Sequence, residues 1–371
     1  MTNRERAMAI LNYQPYDHLP VVHFGFWEET RDKWAEEGYI TKAEARRGDP
    51  CVAQKLGFDF EWGPCVAQHT GLRPDFAREV VKELGNGARH VRNHNGVVEM
   101  ERDGATSIPQ EISHLLVDRA SWEKHYLPRL QFAPGRVPRE GLLKLRAQFE
   151  RGKADESRPV GIHVASLYGC FRDWAGLTGT SYIYADDEEL YAEILDTIGN
   201  LACQTLEESL ALCAPGMFDF AHFWEDIACK SGPLAVPSVF RKLVGPHYKC
   251  LTALLREYGV GIVSLDCDGC IDALLPIWLE NGVNTMFPME VGTWEASIAP
   301  WRARYGRELR GVGGMNKNVF SRDFAAVDAE IERLRPLIAL GGYIPCPDHR
   351  IAPDAKWENV LYYTKRMREE F

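Results

Sequence analysis

With 371 residues, 45% of them hydrophobic and 26% charged, the chain is long enough to bury a substantial core as one large domain or two small ones. Its 43 basic and 53 acidic residues leave a net charge of -10 at pH 7, which repels polyanions and excludes nucleic acid as an expected partner. Residues 1–6 lack the charged-then-apolar pattern of a secretory signal, and no apolar stretch reaches the roughly 18 to 20 residues that cross a bilayer, so a cytoplasmic location away from membranes is expected. Ten cysteines lie without framework spacing, and Cys203, Cys213 and Cys250 fall in apolar helical stretches where a reduced thiol packs as a small hydrophobe.

The first 150 residues are irregular. They hold a helix at 4–12, a strand candidate at 19–25, a charged helix at 28–37, a second strand candidate at 59–62, and a hairpin-like stretch at 91–103 around Asn95-Gly96. From about residue 157 the element types alternate. Strand 158–165 is followed by helix 188–213, strand 218–224, helix 239–258, strand 261–265 and helix 271–280. Strand 284–288, helix 294–305, strand 309–313, helix 324–340, strand 342–345 and helix 355–369 complete the series. Such alternation implies right-handed crossovers and a parallel sheet. The six units plus the two early strand candidates predict an α/β fold of the (β/α)8 TIM-barrel type, a single domain over 1–371 in which residues 1–150 add a helical and hairpin cap. Gly311-Val312-Gly313-Gly314 lacks dinucleotide-loop spacing, which weakens the alternative of an open nucleotide-binding sheet.

In such a barrel the chemistry is assembled where strands end. The polar residues at those places are His163; His222, Glu225 and Asp226; Asp266, Cys267, Asp268 and Cys270; Glu290; Asn316 and Lys317; and Cys346, Asp348 and His349. Carboxylate, thiol and imidazole at one mouth have the composition of a catalytic zinc site, which takes three or four such ligands and keeps a position open. Asp266, Asp268, Cys346 and His349 are the candidate ligands. A single Cys267/Cys270 pair with no second CxxC does not make a structural zinc knot. Simpler roles stand beside these: Asp226 and Asp268 as helix caps, His222 as a hydrogen-bonded barrel histidine, Cys267 as packing.

Several segments carry a family likeness: residues 2–11, Trp224-Glu225-Asp226, Leu265-Asp266-Cys267-Asp268-Gly269, Phe287-Pro288-Met289-Glu290, and Tyr343-Ile344-Pro345-Cys346-Pro347-Asp348-His349. Together they resemble the uroporphyrinogen decarboxylase superfamily, and within it the corrinoid-dependent methyltransferase branch. The resemblance implies a TIM barrel and a possible homodimer. The decarboxylase branch holds its many-carboxylate substrate with arginines near the first strand, where this chain has Val21-Val22-His23-Phe24-Gly25-Phe26-Trp27-Glu28 and no arginine. The thiol-methylating members bind zinc through a His-x-Cys pair and a distant Cys. By position Asp266 and Asp268 replace the pair and Cys346 matches the distant thiolate, a harder ligand set that implies a Lewis acid toward oxygen.

The resemblance therefore implies zinc-assisted demethylation of a small methylated, methoxy-type substrate, with the methyl group passing to the Co(I) corrinoid of a separate protein. No Asp-x-His-x-x-Gly corrinoid segment occurs in the chain itself. Glu225, Asp226 and His222 are the expected acid and charge-handling residues. His23, Phe24, Trp27, His163, Trp224 and Tyr343, with Tyr168 nearby, are the expected substrate contacts. A lyase acting on a smaller carboxylic acid, held by Arg172 and Arg350, and a non-catalytic binding barrel are the alternative readings.

Overall fold

A computed structural model describes residues 1–104 and 108–371. Three short strands, β1 (Val22–His23), β2 (Phe60–Glu61) and β3 (Val66–Ala67), precede β4 (Glu79–Gly85), β5 (Ala88–Arg92), β6 (Val97–Arg102) and β7 (Gln110–His114). After them come β8 (Gly161–His163), β9 (Phe220–Trp224), the hairpin β10 (Ala228–Cys229) and β11 (Gly232–Pro233), then β12 (Ile262–Asp266), β13 (Thr285–Phe287), β14 (Arg310–Met315) and β15 (Tyr343–Pro347).

Seven of these form one sheet in the order β15-β14-β13-β12-β9-β8-β3, with every neighbouring pair parallel. The pair β1–β2 is also parallel, with Val22 opposite Phe60, and a single parallel bridge between Phe26 and Ile351 ties the segment after β1 to the loop after β15. The arrangement is TIM-barrel-like. Its ladder is continuous over seven strands, and the meeting of β1 with the β15 side is made by that bridge and by the bonds Trp27 N to Ile351 O and Ile351 N to Gly25 O.

Apart from the short β3, the strands of this sheet are buried over nearly their whole length, as a parallel sheet covered by helices requires. Helix Glu188–Leu210 shows the covering layer: Asp187 caps it through Leu190 N, and Leu190, Ile194, Ile198 and Leu201 bury one stripe. Rings fill the interior. Trp62 stacks on Phe220 at 4.3 Å and donates its indole N–H to Ser264 Oγ at 3.1 Å, and His222 Nδ1 meets the same hydroxyl at 3.3 Å.

Two departures from the sequence expectation have clear causes. The expected helix 239–258 is two helices, Pro237–Leu243 and Gly245–Glu257, because Pro246 has no N–H to continue the first. Helix Tyr168–Asp186 was not expected, since its glycines obscure the apolar period; it bends at Gly176, whose φ is 69°. The expected hairpin is the centre of a four-stranded antiparallel sheet, β4-β5-β6-β7. Its outer strand β4 is exposed along its whole length, so it carries no inside-outside alternation for a sequence reading to find. No helix among the described residues is long and apolar enough to cross a membrane.

Candidate active site

Parallel register brings the C-terminal ends of β3, β8, β9, β12, β13 and β15 to one edge of the sheet. Gln68, His163, Trp224, Asp266, Glu290 and His349 therefore gather there from separate parts of the chain.

One half of this edge is acidic. Asp266 ends β12 opposite Trp224 of β9. Although solvent reaches its carboxyl group, surrounding protein pushes its pKa well above the usual carboxylate range, and the charges of Asp268, Asp226 and Glu290 push in the same direction against Arg350. Burial, then Asp268, also raises Asp226 and Glu290. Burial and the charges of their neighbours thus act in one direction on Asp266, Asp226 and Glu290, favouring the protonated form of each. Asp226 holds its place through a left-handed backbone (φ 46°) and a 3.3 Å contact with Arg172. Asp268 pairs with His349 Nε2 at 3.2 Å, while Glu290 accepts from Gly269 N at 2.6 Å and from Thr293 Oγ1 at 2.9 Å. Trp27 stacks on the His349 ring, and Phe24 sets its edge against His349 and Phe287, so both expected aromatics stand beside the acids. Asp226 and Asp268 keep 37% and 34% of their side-chain surface exposed, which leaves the cluster open to a reaction partner.

The other half is a cavity of about 730 Å³ lined by Gln68, His163, Ser166 and Trp224, with His94 and Asn95 from the turn between β5 and β6 over it. The antiparallel sheet thus acts as a cover on this side. Gln68 is 5% exposed, yet neither of its amide atoms has a hydrogen-bond partner, and Nδ1 of His163 and Oγ of Ser166 also lack one. Leaving such groups unpaired costs about 1–3 kcal/mol each, which a protein sustains where a ligand completes the bonds. Burial lowers the His163 pKa to about 4, so its ring is neutral. Gln68 and Ser166 were not expected from the sequence. They belong to no motif, and only the pairing of β3 with β8 puts them side by side.

Other expected site residues lie elsewhere. Glu225 is fully buried and turned inward: its carboxylate accepts from Leu167 N (2.9 Å), Gly169 N (2.7 Å) and the Tyr248 hydroxyl. It fastens the start of helix Tyr168–Asp186 and does not face the mouth. Burial raises its pKa to about 7 against those hydrogen bonds. His222 is a neutral interior ring whose pKa burial lowers to about 3, bound to Ser264 rather than placed as an acid. His23 is buried between Phe26 and Phe58 and accepts from Gly25 N through Nδ1. Tyr343 begins β15, at the opposite end of the strand from the mouth, and its hydroxyl donates to Gly313 O at 2.8 Å. Tyr168 is likewise buried, against Tyr191 and Phe240.

The fastening by Glu225 depends on Gly169, because a Cβ there would lie 2.2 Å from the Glu225 carbonyl oxygen and 2.4 Å from Ser166 Oγ. The carbonyl belongs to backbone that cannot swing aside. Gly169→Ala is therefore expected to cost about 1–3 kcal/mol, seen as a lower urea midpoint at unchanged m-value; an unchanged midpoint would show that the two segments are not packed this way.

The four expected zinc ligands are not assembled. Asp268 and His349 meet, but Cys346 is wholly buried within β15, where burial and then Asp348 and Glu61 push its thiol pKa well up, away from the thiolate that zinc binds. Among the described residues no three His, Cys, Asp or Glu side chains are grouped so as to hold a metal ion. The residues as they stand do not fit a resident zinc centre. The two arginines that a carboxylic-acid lyase would use are already engaged, Arg172 with Asp173 and Asp226, Arg350 with Asp49.

No protein-family model and no curated protein matches the chain. Among solved structures, a methyltransferase from Methanosarcina mazei is similar to it over 100% of this chain and 99% of its own, with 15% identity and a TM-score of 0.59. Two B12-independent methionine synthases, a putative one from Listeria monocytogenes (12% identity, 96% and 98% covered, TM-score 0.40) and one from Shewanella sp. (12%, 95% and 99%, 0.44), are too loosely alike to bear on the fold. At 15% identity, what this chain shares with the Methanosarcina protein is its overall fold, from one end to the other.

Proposed function

We propose that this chain is a methyltransferase that removes the methyl group from a small methoxy-type substrate and passes it to the Co(I) corrinoid of a separate protein. The observation that carries this reading is the Asp266 carboxyl group at the strand ends, unbonded and held well above its usual pKa by burial and by the charges of Asp268, Asp226 and Glu290, beside the part-exposed Asp226 and Asp268. The fold shared with a protein named as a methyltransferase supports it.

An ether oxygen leaves poorly as an alkoxide or phenoxide and well as an alcohol or phenol, so demethylation needs a proton at the oxygen. Asp266 is the residue we assign to supply it. No hydrogen bond ties up its carboxyl group among the described residues, and burial first, then Asp268, Asp226 and Glu290, raise its pKa well above the usual carboxylate range. As the acceptor's electron pair forms the new bond to the methyl carbon, the carbon–oxygen bond breaks toward oxygen and the Asp266 proton moves onto it. The carboxylate left behind regains a proton from solvent through the open mouth. Trp27, Phe24 and His349 form an aromatic wall beside this point, and Glu225 acts at a distance by positioning Asp226 and the helix that carries Arg172.

The test incubates the full chain with methoxyarenes and free cobalamin reduced to Co(I), following loss of the Co(I) absorbance and release of the phenol. Enzyme-dependent loss of both methoxyarene and Co(I) at least about 10-fold above the protein-free rate is expected. Equal rates with and without protein across the panel would overturn the reading.

A further inference from the structure

Resting on the reading of this edge as a substrate site, we infer that the cavity between the ends of β3 and β8 holds an uncharged planar group that presents a hydrogen-bond donor beside an acceptor, of carboxamide or lactam chemistry. Gln68 sets the chemistry of this cavity. Its side chain lines the cavity, is buried to all but 5%, and offers an unpartnered carbonyl oxygen next to an unpartnered NH2. The complement of an amide edge is a second donor–acceptor edge at the same spacing, which an alcohol, an ether or a hydrocarbon cannot supply. His163 adds a neutral ring with one unpartnered nitrogen, and Ser166 a hydroxyl that can donate or accept.

The surroundings select against charge. Arg73 and Asp75 both line the cavity, so neither sign prevails there. Asp226 lies two residues beyond Trp224 in the chain, and Asp173, whose pKa burial raises to about 6, feels the charges of Arg172, Asp226 and His94. On the wall itself Asp75 opposes an anion and Arg73 a cation. Trp224 gives the cavity a flat wall and stands opposite Asp266 in the β9–β12 register, so a planar ring seated at Gln68 extends toward the proton donor.

The experiment measures binding of benzamide and of benzoate to the full chain by saturation-transfer NMR, in wild type, Gln68→Leu and Ser166→Ala, with circular dichroism checking that each variant is folded. Benzamide is expected to bind wild type at least about 10-fold more tightly than benzoate, and to weaken about 10-fold in Gln68→Leu and severalfold in Ser166→Ala. The Ser166→Ala variant, which removes a single oxygen, decides the matter if Gln68→Leu does not fold. No benzamide binding, benzoate binding as tight as benzamide, or benzamide affinity indifferent to both substitutions would overturn the inference. Because no acceptor or turnover enters the measurement, benzamide binding without demethylation overturns the proposed function alone, and demethylation without benzamide binding overturns this inference alone.

Discussion

Asp266→Asn is expected to lower kcat for methyl transfer by about 10²- to 10⁴-fold, the usual worth of a placed general acid, while raising thermal stability at neutral pH. Asn is nearly the same size and keeps one acceptor, so a loss of this order reports the proton and not the shape. In the wild type the raised pKa fixes the sign of the pH dependence: activity needs the protonated form, holds below the folded pKa, and falls by one proton's slope as pH rises through it. In Asp266→Asn that alkaline limb is absent. The stability change follows from the same shift. Folded Asp266 binds a proton that the unfolded chain releases near pH 4, so folding stability declines as pH rises from there through the folded pKa. Asn carries no such loss. Kinetics across roughly pH 5 to 9 with a parallel melting series measure both effects; wild-type kcat in the variant, or a lower Tm at pH 7, would remove Asp266 from the role of acid.

Glu225→Ala is the second large effect, and it falls on the fold. Removing the carboxylate leaves two buried backbone N–H groups, of Leu167 and Gly169, and the Tyr248 hydroxyl without their acceptor. At about 1–3 kcal/mol for each unsatisfied group, the expected loss is about 4 kcal/mol, or roughly 8 °C in Tm at about 2 °C per kcal/mol for a large domain. Glu225→Gln keeps one acceptor but turns an NH2 toward a backbone amide, and falls between wild type and Ala. Burial raises the Glu225 pKa to about 7, so the wild type loses part of its stability as pH rises from the ordinary Glu value near 4.5 through about 7. The Ala variant lacks that component. Denaturation midpoints of the three proteins at several pH values check the prediction. If Glu225→Ala instead keeps wild-type stability and loses only kcat, Glu225 faces substrate after all.

The alternation of elements after residue 157 was legible because helices and buried strands differ in apolar period and length. The strands Phe220–Trp224, Ile262–Asp266, Thr285–Phe287, Arg310–Met315 and Tyr343–Pro347 all lie within three residues of where the pattern puts them. The acidic mouth was legible in part, since a residue that ends a parallel strand lies at the active edge whatever the helices do; Asp226, Asp266, Asp268 and His349 needed no more than that. Which of them does what was not. Glu225 and Asp226 are neighbours in the chain, yet the left-handed backbone at Asp226 leaves one carboxyl group inside, tied to backbone amides, and the other at the mouth. Cys346 between two prolines looked like a ligand, but in an all-buried strand its thiol faces protein rather than the mouth.

The sequence by itself determined the strand–helix order, and with it the edge where the chemistry gathers, because local periodicity and chain direction suffice for both. The tertiary structure alone decided that Gln68 and His163 share a cavity, that burial and neighbouring charges raise the pKa of Asp266, Asp226 and Glu290 together, and that Glu225 is an anchor. Those properties depend on distances between residues up to about a hundred positions apart and on the burial that packing imposes, and no local pattern of residue types encodes either.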